Sequence, residues 1–239
     1  MYLMNMKIIS KKLKNTILTL LVLSLHFYVI AQVKDVDGNK YETIKIGESE
    51  WMSENLSVKH FQNGEPIKFV TNCEEWLIAG KNKEPVCCFI DFKSSNAKYG
   101  LLYNWYAVND VRNIAPKGFK VPASSDFEKL ISNFGGTDHA GYELRSNKGW
   151  KEQQGNNQSG MNILPIGCLN GNHENHECSN VYSGEYSYLW SSTPVTSIME
   201  EKNLRPYGYF LRVTGWDGDA QMMSNPYFHE GLPVRCIKN

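Results

Sequence analysis

The sequence predicts an α+β domain, from three observations. One segment, residues 121–136, has the apolar periodicity of an amphipathic helix. Several short segments on both sides of it have the composition of β-strands, and glycine and asparagine between them indicate turns and long loops. One clear helix among many short strands is typical of an α+β domain.

Residues 1–31 have the pattern of a secretory signal peptide. Four lysines precede a short apolar stretch, and Val29-Ile30-Ala31 supplies the small-residue cleavage pattern, with Ala31 as the last residue removed. The apolar stretch has about fifteen residues, whereas a membrane span needs about twenty, and a retained anchor is the alternative. We expect an exported protein (extracellular, on the cell surface or in the periplasm) with a single domain, residues 32–239, and no membrane span.

The charge of the chain changes when this segment is removed. Residues 1–31 hold four of the 25 basic residues and none of the 25 acidic ones, so the remainder carries a net charge of about −4. A phosphate-binding surface would need clustered lysine and arginine. We therefore expect no nucleic-acid partner.

The segment Asp35-Val36-Asp37-Gly38-Asn39 has the oxygen-rich composition of a calcium loop. An EF-hand loop requires glycine at position 6 and glutamate at position 12. A loop that starts at Asp35 has Lys40 and Ile46 there, and one with Gly38 at position 6 has Ile44 at position 12. Both registers fail. Asp-Gly ahead of alternating apolar residues instead predicts a hairpin turn of type I′.

Two segments follow before the helix. Residues 72–98 are polar, charged and weakly periodic, which predicts a long surface excursion. Residues 100–110, GLLYNWYAVND, are apolar on nearly every side and predict a buried short helix or a strand.

The helix in residues 121–136 has signals at both ends. Ser125 and Glu128 form a predicted capping box, and Gly135-Gly136 predicts a left-handed stop. Its apolar positions recur at helical spacing. The residues that we expect in the core are Phe127, Leu130, Ile131 and Phe134 of this helix, together with Trp51 and Trp105.

Beyond residue 140 the sequence predicts only strands and turns. Residues 207–214 and 221–228 are expected to form a hairpin, with its tip at Gly215-Trp216-Asp217-Gly218-Asp219. Residues 231–239, GLPVRCIKN, predict a closing strand.

Seven segments occur in this order: DVDGNKYETIKIGESEWMSENL, YGLLYNWYAVND, APKGFKVPASSDFEKLISNFGG, AGYELRS, SGMNILPIG, LWSST and VRCIKN. Together they resemble the Fibrobacter succinogenes major paralogous domain, a family of exported bacterial proteins. The resemblance covers nearly all of residues 33–239, and the family implies no catalytic residues, since it has no established reaction. GFKVPASSDFEKL is also similar to formylglycine-generating-enzyme-type domains, which implies a C-type-lectin-like fold.

The chain departs from the family pattern at Ala115, where the family usually has the cysteine of Cys-Pro-x-Gly-Trp. If that cysteine pairs with the one near the C-terminus, Cys236 either has another partner or is free. The family's disulfide pattern therefore does not transfer simply to this chain.

Six cysteines in an exported chain predict disulfides. The sequence does not choose among the fifteen connectivities, except that adjacent Cys87 and Cys88 are not expected to bond to each other. We expect a local Cys168–Cys178 bridge. Cys73–Cys87 and Cys88–Cys236 are the remaining pairings, and Cys87 and Cys88 can be exchanged between them.

The loop CLNGNHENHEC, residues 168–178, also has the ligand types of a structural zinc site. Cys168, His173, His176 and Cys178 supply two sulfurs and two imidazoles. Their spacing is poor, and an oxidising compartment favours a bridge between the two sulfurs. We expect no metal here.

Two classes of function remain. The first is a non-catalytic binding or adhesion module, with a glycan or another cell-surface ligand as partner. The second is an enzyme or protein-modifying factor similar to formylglycine-generating enzymes, which use a late pair of cysteines. Cys236 is late but has no neighbouring cysteine, and no GxSxG, HExxH or glycine-rich phosphate motif occurs. We therefore expect no catalytic residues and a binding function.

The candidate ligand site is Trp216 with Asp217 and Asp219. An aromatic ring at a loop tip can stack on a sugar, and nearby carboxylates can accept its hydroxyl protons or hold calcium. Two carboxylates alone make a poor calcium site, so no cofactor is expected. The favoured alternative is structural: Asp217-Gly218 makes the turn, and Trp216 packs back over the sheet.

Overall fold

The computed structural model describes residues 32–172, 175–195, 207–224 and 230–239. The signal-peptide prediction and three of the six histidines, His26, His173 and His229, lie outside these residues. No helix in the described ranges has the length and apolar character needed to cross a membrane. The strands are β1 (Gln32–Lys34), β2 (Lys40–Ile46), β3 (Ser49–Met52), β4 (Lys68–Phe69), β5 (Val86–Cys88), β6 (Leu102–Tyr103), β7 (Phe119–Lys120), β8 (Cys168–Asn172), β9 (Glu177–Val181), β10 (Tyr186–Pro194), β11 (Gly208–Thr214), β12 (Ala220–Met223), β13 (Glu230–Gly231) and β14 (Ile237–Lys238). The α-helices are α1 (Cys73–Asn82), α2 (Trp105–Val108), α3 (Ser124–Ser132) and α4 (Thr137–Leu144), and two 3-10 helices span Ile90–Phe92 and Ser94–Tyr99.

The described strands form four small sheets, and this mixture with helices confirms the α+β class. The largest sheet has the order β1-β2-β3-β14-β7, and the three others are β10-β11-β12, β13-β8-β9 and β4-β5-β6. All but one of the strand pairs are antiparallel; the exception is β4 with β5.

The Asp35 segment is a hairpin turn, as predicted, but a longer one than type I′. Lys34 pairs with Lys40, which leaves five residues in the loop. The buried Asp35 carboxylate accepts hydrogen bonds from the Asn39 backbone N–H (2.9 Å) and the Tyr41 hydroxyl (2.6 Å). Gly38 takes a φ of 89°, which glycine adopts without steric cost. The acidic composition of this segment therefore serves the turn.

Helices α3 and α4 pack on the β10-β11-β12 sheet around one apolar cluster. Phe127, Leu130 and Ile131 of α3 are buried there, and the ring of Phe127 lies 5.4 Å from that of Trp51. Trp105 is buried in a second cluster. Five of the six predicted core residues are confirmed; Phe134 is only half-buried, because it lies beyond the last turn of α3.

The predicted capping box of α3 is wrong by two residues. The helix begins at Ser124, and the Asp126 carboxylate accepts a hydrogen bond from the Ala123 N–H at 2.9 Å. Asp126 is the third helical residue, so its carboxylate reaches back to the N-cap residue, Ala123. The sequence predicted the same arrangement two residues later, with Glu128 reaching back to Ser125. The stop at Gly135-Gly136 is confirmed, because both glycines have positive φ.

The predicted surface excursion at residues 72–98 is wrong. It contains α1, whose first turn is capped by the Asn72 side chain, an acceptor for the Glu75 N–H at 2.9 Å. Trp76, Leu77 and Ala79 of α1 are buried against β5. Only this narrow face of α1 is buried, so the helix is polar overall and its period is weak.

Three further expectations need adjustment. Residues 100–110 contain both alternatives, since β6 is followed by α2. Helix α4 lies in a region predicted to have only strands; it is eight residues long and contains Gly141, a poor helix former. The closing strand at 231–239 is reduced to β13 and β14.

The segment between β13 and β14, residues 232–236, nevertheless forms backbone hydrogen bonds with distant parts of the chain. Its carbonyl oxygens accept hydrogen bonds from the N–H groups of Tyr103 (3.0 Å), Leu56 (2.8 Å) and Met52 (2.9 Å), and β14 pairs with both β3 and β7. Arg235 is buried and donates to the Asn55 side chain at 2.8 Å and to the Met161 carbonyl. Burial lowers the pKa of Arg235 to about 10.

The disulfide is Cys73–Cys178, so the three predicted pairings are wrong. In the β8–β9 hairpin Cys168 lies opposite Val181, whereas Cys178 lies opposite Gly171. The two cysteines are therefore three positions apart along the ladder, about 10 Å, and point to opposite faces. Cys87, Cys88, Cys168 and Cys236 are buried free thiols.

Cys236 has no disulfide partner, which settles whether it is bridged or free when the family cysteine is replaced by Ala115. Ala115 and Cys236 belong to the same apolar cluster, so each is packed as a small buried side chain. The chain therefore dispenses with a bridge at this position.

Candidate functional site

The β11–β12 hairpin is confirmed, and its tip holds the three predicted ligand residues. Val213 pairs with Ala220, and residues 215–219 connect the two strands. The Asp217 carboxylate accepts hydrogen bonds from the Thr214 hydroxyl (2.7 Å) and the Asp219 N–H (3.0 Å). These bonds lower the pKa of Asp217. Asp217 is thus the residue that fixes the turn, as the structural alternative proposed.

The tip rests on α4. The Gly141 N–H donates to the Gly218 carbonyl at 2.8 Å, inside a helix whose own ladder would normally use that group. A Cβ on Gly218 would collide with the Asp138 carbonyl oxygen and the Tyr142 ring, so only glycine fits between tip and helix. This contact fixes the tip against α4.

A second set of backbone bonds holds the base of the tip. The Gln153 N–H donates to the Gly215 carbonyl (3.0 Å), and the Gly215 N–H donates to the Glu185 carbonyl (2.7 Å). The Gln153 side chain accepts from the Tyr142 hydroxyl at 2.7 Å. The turn, α4, Gln153 and Glu185 therefore meet at the base of the hairpin.

Arg145 lies beneath the tip and is fully buried. It donates to the Thr214 carbonyl at 2.5 Å, and its guanidinium lies 4.7 Å from the Tyr142 ring centre and 5.3 Å from that of Trp150. Its Nε and Nη2 atoms have no hydrogen-bond partner within the described ranges. Burial lowers the pKa of Arg145.

Trp216 differs from the other tryptophans. The five others are at most 5% exposed, whereas Trp216 is 47% exposed. It belongs to none of the apolar clusters that the buried residues of the described ranges form. An exposed indole on a fixed turn is a surface for a flat apolar partner.

Asp219 has a different environment from Asp217. Its carboxylate forms an ion pair with Arg212 at 2.7 Å and accepts a hydrogen bond from the Gln221 side chain at 2.9 Å. The structure thus brings the three predicted residues together, but both carboxylates already have partners. A calcium ion here would have to compete with Arg212 and would still need further oxygen ligands.

Three residues that support this site were not predicted from the sequence. Tyr142, Arg145 and Gln153 were not singled out, because α4 was not predicted and Gln153 lies in an irregular segment. The AGYELRS segment, which contributed to the family resemblance, contains two of them.

The free thiols are poor nucleophiles. Burial raises the pKa of Cys87 to about 12 and also raises the pKa values of Cys88, Cys168 and Cys236. Cys168 donates to the buried Glu230 carboxyl at 3.5 Å. Each thiol is therefore protonated and shielded from solvent.

The zinc alternative loses one of its ligands. Cys178 is bonded to Cys73, and His173 lies outside the described residues. In the part of the chain that the structure describes, no group of three or more histidine, cysteine, aspartate or glutamate side chains is arranged to hold a metal ion.

Comparison with known proteins identifies one family. The sequence model of the Fibrobacter succinogenes major domain matches residues 44–238. No curated protein and no solved structure matches the chain. The family match supplies no activity or ligand, so the function has to be argued from the site itself.

Proposed function

The chain belongs to the Fibrobacter succinogenes major domain family, and we propose that it is an exported, non-catalytic binding module that presents Trp216 to a carbohydrate. The carbohydrate is either a free glycan or part of a cell surface. Export requires removal of residues 1–31, so that Gln32 becomes the first residue.

The observation that carries this proposal is the exposure of Trp216 on a turn that is held in place by hydrogen bonds and by its contact with α4. Asp217 closes the turn, Gly218 contacts α4, and Gly215 is bonded to two other segments. A ring held in this way loses little conformational freedom when a ligand binds, which lowers the entropic cost of association.

Carbohydrate fits the chemistry around the ring. The C–H face of a sugar packs on an indole, and its hydroxyl groups need polar partners at the edge of that ring. The exposed Asp217 and Gln153 side chains lie at the same tip and offer a carboxylate and an amide. Because Asp219 is neutralised by Arg212, the tip suits a neutral sugar better than a cation.

The state of the cysteines supports a binding function over the enzymatic alternative. A formylglycine-generating type of reaction depends on accessible cysteines, whereas the four free thiols here are buried and have raised pKa values. The remaining pair is oxidised.

We include a C-type-lectin-like core in the proposal. It is supported by the similarity of GFKVPASSDFEKL to domains with that fold and by the packing of α3 on an antiparallel sheet. The placement of β1 and β14 in the same sheet gives further support, because it brings the two ends of the domain together.

A glycan array compares three proteins: the wild type, Trp216→Ala and Ile78→Ala. Ile78 is also 47% exposed but lies on α1, so its variant controls for the loss of an exposed apolar side chain. We expect the wild type and Ile78→Ala to bind one sugar class and Trp216→Ala to lose that binding, with equal melting temperatures. Binding should persist with a calcium chelator, because the carboxylates already have partners.

Two results would contradict the proposal. Retained binding by Trp216→Ala would show that the ring is not the contact. Turnover of a sugar or a peptide by the wild-type protein would establish an enzyme instead.

A further inference from the structure

A groove of about 460 Å³ lies on a different part of the described surface from the Trp216 ring. Its lining includes one group of residues within 90–99, here called the first side, and another within 180–184, here called the second side. Leu164, Pro165 and Ile166 supply apolar lining. This volume is within the range of small-molecule sites, which is about 300–1,000 Å³.

The polar lining offers hydrogen-bond acceptors. The Asn180 Oδ1 atom is buried and has no hydrogen-bond partner among the described residues. Asp91 also lines the groove and forms no ion pair with any residue that the structure describes. Because this atom is closed off from solvent, a ligand donor reaches it only when the Asn180 amide turns toward the groove, and the hydrogen bond then gives the acceptor the partner that it lacks.

The positive charge at the groove already has a partner, which leaves the Asp91 carboxylate as the unpaired charge of the described lining. Lys151 lines the groove, but its ammonium group is paired with Glu185 at 2.7 Å. Ser183 adds a neutral hydroxyl group. A ligand with several hydroxyl donors and an apolar C–H face matches this lining better than an anion does.

The first side of the groove is held in an uncommon conformation. Asp91 and Phe92 are consecutive non-glycine residues with φ of 55° and 56°. The Asn96 side chain donates to the Ile90 carbonyl at 2.9 Å and fixes this bend. Such strained positions persist only where the surrounding structure enforces them, and they are concentrated at functional sites.

The second side is fixed as well. The Gly184 N–H donates to the Pro165 carbonyl, and the Lys151 N–H donates to the Gly184 carbonyl, both at 2.8 Å. The disulfide at Cys178 anchors the strand two residues before Asn180. Both sides are thus preformed, which favours binding of a small ligand.

We propose that this groove is a second binding site, for a neutral mono- or disaccharide unit whose hydroxyl groups donate to Asn180 and Asp91. The site is independent of the proposed contact at Trp216. The two lie on neighbouring segments, since Lys151 lines the groove and Gln153 supports the Trp216 turn.

The test measures binding of four neutral disaccharides (cellobiose, xylobiose, lactose and diacetylchitobiose) by ligand-observed NMR and calorimetry. Putrescine serves as a cationic probe. Asn180→Ala removes the buried acceptor, and Ser183→Phe fills the groove from an exposed position. Asp91→Asn keeps a residue that tolerates a positive φ and removes only the charge. Trp216→Ala is the control for the other site.

We expect at least one disaccharide to bind with a millimolar Kd. Asn180→Ala should weaken it by about tenfold, and Ser183→Phe should abolish it. The melting temperature of Asn180→Ala should be equal to or higher than that of the wild type, because the variant removes an acceptor that has no partner. If the side chain had a purely structural role, its removal would lower the melting temperature. Asp91→Asn should weaken binding and leave the fold intact, and Trp216→Ala should leave the affinity unchanged.

Three results would overturn the groove site. They are no binding of any of the four disaccharides, binding that is unaffected by Asn180→Ala and Ser183→Phe, and binding of putrescine in their place. Binding lost only in Trp216→Ala would assign the sugar to the turn and would leave the first proposal standing without the second.

Discussion

Cys73 at the start of α1 and Cys178 in β9 form a disulfide that closes 105 positions of the chain. A bridge across so long a loop restricts the unfolded chain, and the usual gain is about 2–4 kcal/mol. We expect the double variant Cys73→Ser/Cys178→Ser to lose about 2–4 kcal/mol of unfolding free energy, measured by denaturant unfolding. Ile78→Ala on the same helix should change little. Equal stability of the double variant and the wild type would show that the bridge is dispensable.

The two phenylalanines of the predicted apolar stripe should differ in their contribution. Phe127 is fully buried against Trp51, so Phe127→Ala should cost about 3–5 kcal/mol of unfolding free energy. Phe134 is half-buried, and Phe134→Ala should cost less. Urea unfolding of both variants measures the order, and the reverse order would contradict the packing of α3.

Gly141 provides a test in which a general rule changes sign. Glycine to alanine inside a helix usually stabilises by about 0.5–1 kcal/mol. Here a Cβ would lie 2.7 Å from the Gly218 carbonyl oxygen, so Gly141→Ala must displace the Trp216 turn from α4. We expect a lower melting temperature and weaker glycan binding. The exposed His139→Ala on the same helix is the control, and a stabilised Gly141→Ala would mean that the turn does not rest on α4.

Glu230 should make stability depend on pH. Burial raises the pKa of its carboxyl well above the ordinary value, so the folded state keeps the proton after the unfolded state has lost it. The carboxyl therefore contributes most below the unfolded pKa of about 4.3, and this contribution is lost as the pH rises toward the folded pKa.

Glu230→Gln isolates this effect. The variant keeps a neutral side chain of the same shape at every pH, so its melting temperature should exceed that of the wild type by a margin that grows from about pH 4.3 upward. A thermal series across this interval gives the comparison. A margin that does not change with pH would place the carboxyl in contact with water.

Export predicts a specific N-terminus. If residues 1–31 are removed on secretion, sequencing of the mature protein starts at Gln32. A protein recovered with Met1 or Met6 at its N-terminus would show that the segment is retained.

Local patterns predicted the elements that depend on local forces. The Asp35 turn, the α3 stripe and the β11–β12 hairpin each follow from residues close together in sequence. The cap of α3 was predicted two residues too late. Asp126 and Glu128 are both acidic residues near the start of the helix, and only the geometry of the cap distinguishes them.

Elements fixed by distant partners were missed. Helix α1 depends on burial of Trp76 against β5, and α4 depends on the tip around Gly218, neither of which a sequence window contains. The disulfide failed for the same reason. Cys168 and Cys178 are near in sequence, but a hairpin places them on opposite faces, and Cys73 arrives from another part of the chain.

The segment between β13 and β14 also sets the order in which the protein can fold. Residues near the beginning of the domain, such as Met52 and Leu56, take their backbone partners from Cys236 and Val234 near its end. A ribosome makes the first group long before the second, so the first hairpin has an unpaired edge throughout synthesis. Contacts of such long range also slow folding. The domain thus completes its largest sheet only after β14 is available, and until then the first hairpin has an open β-edge that other strands could pair with.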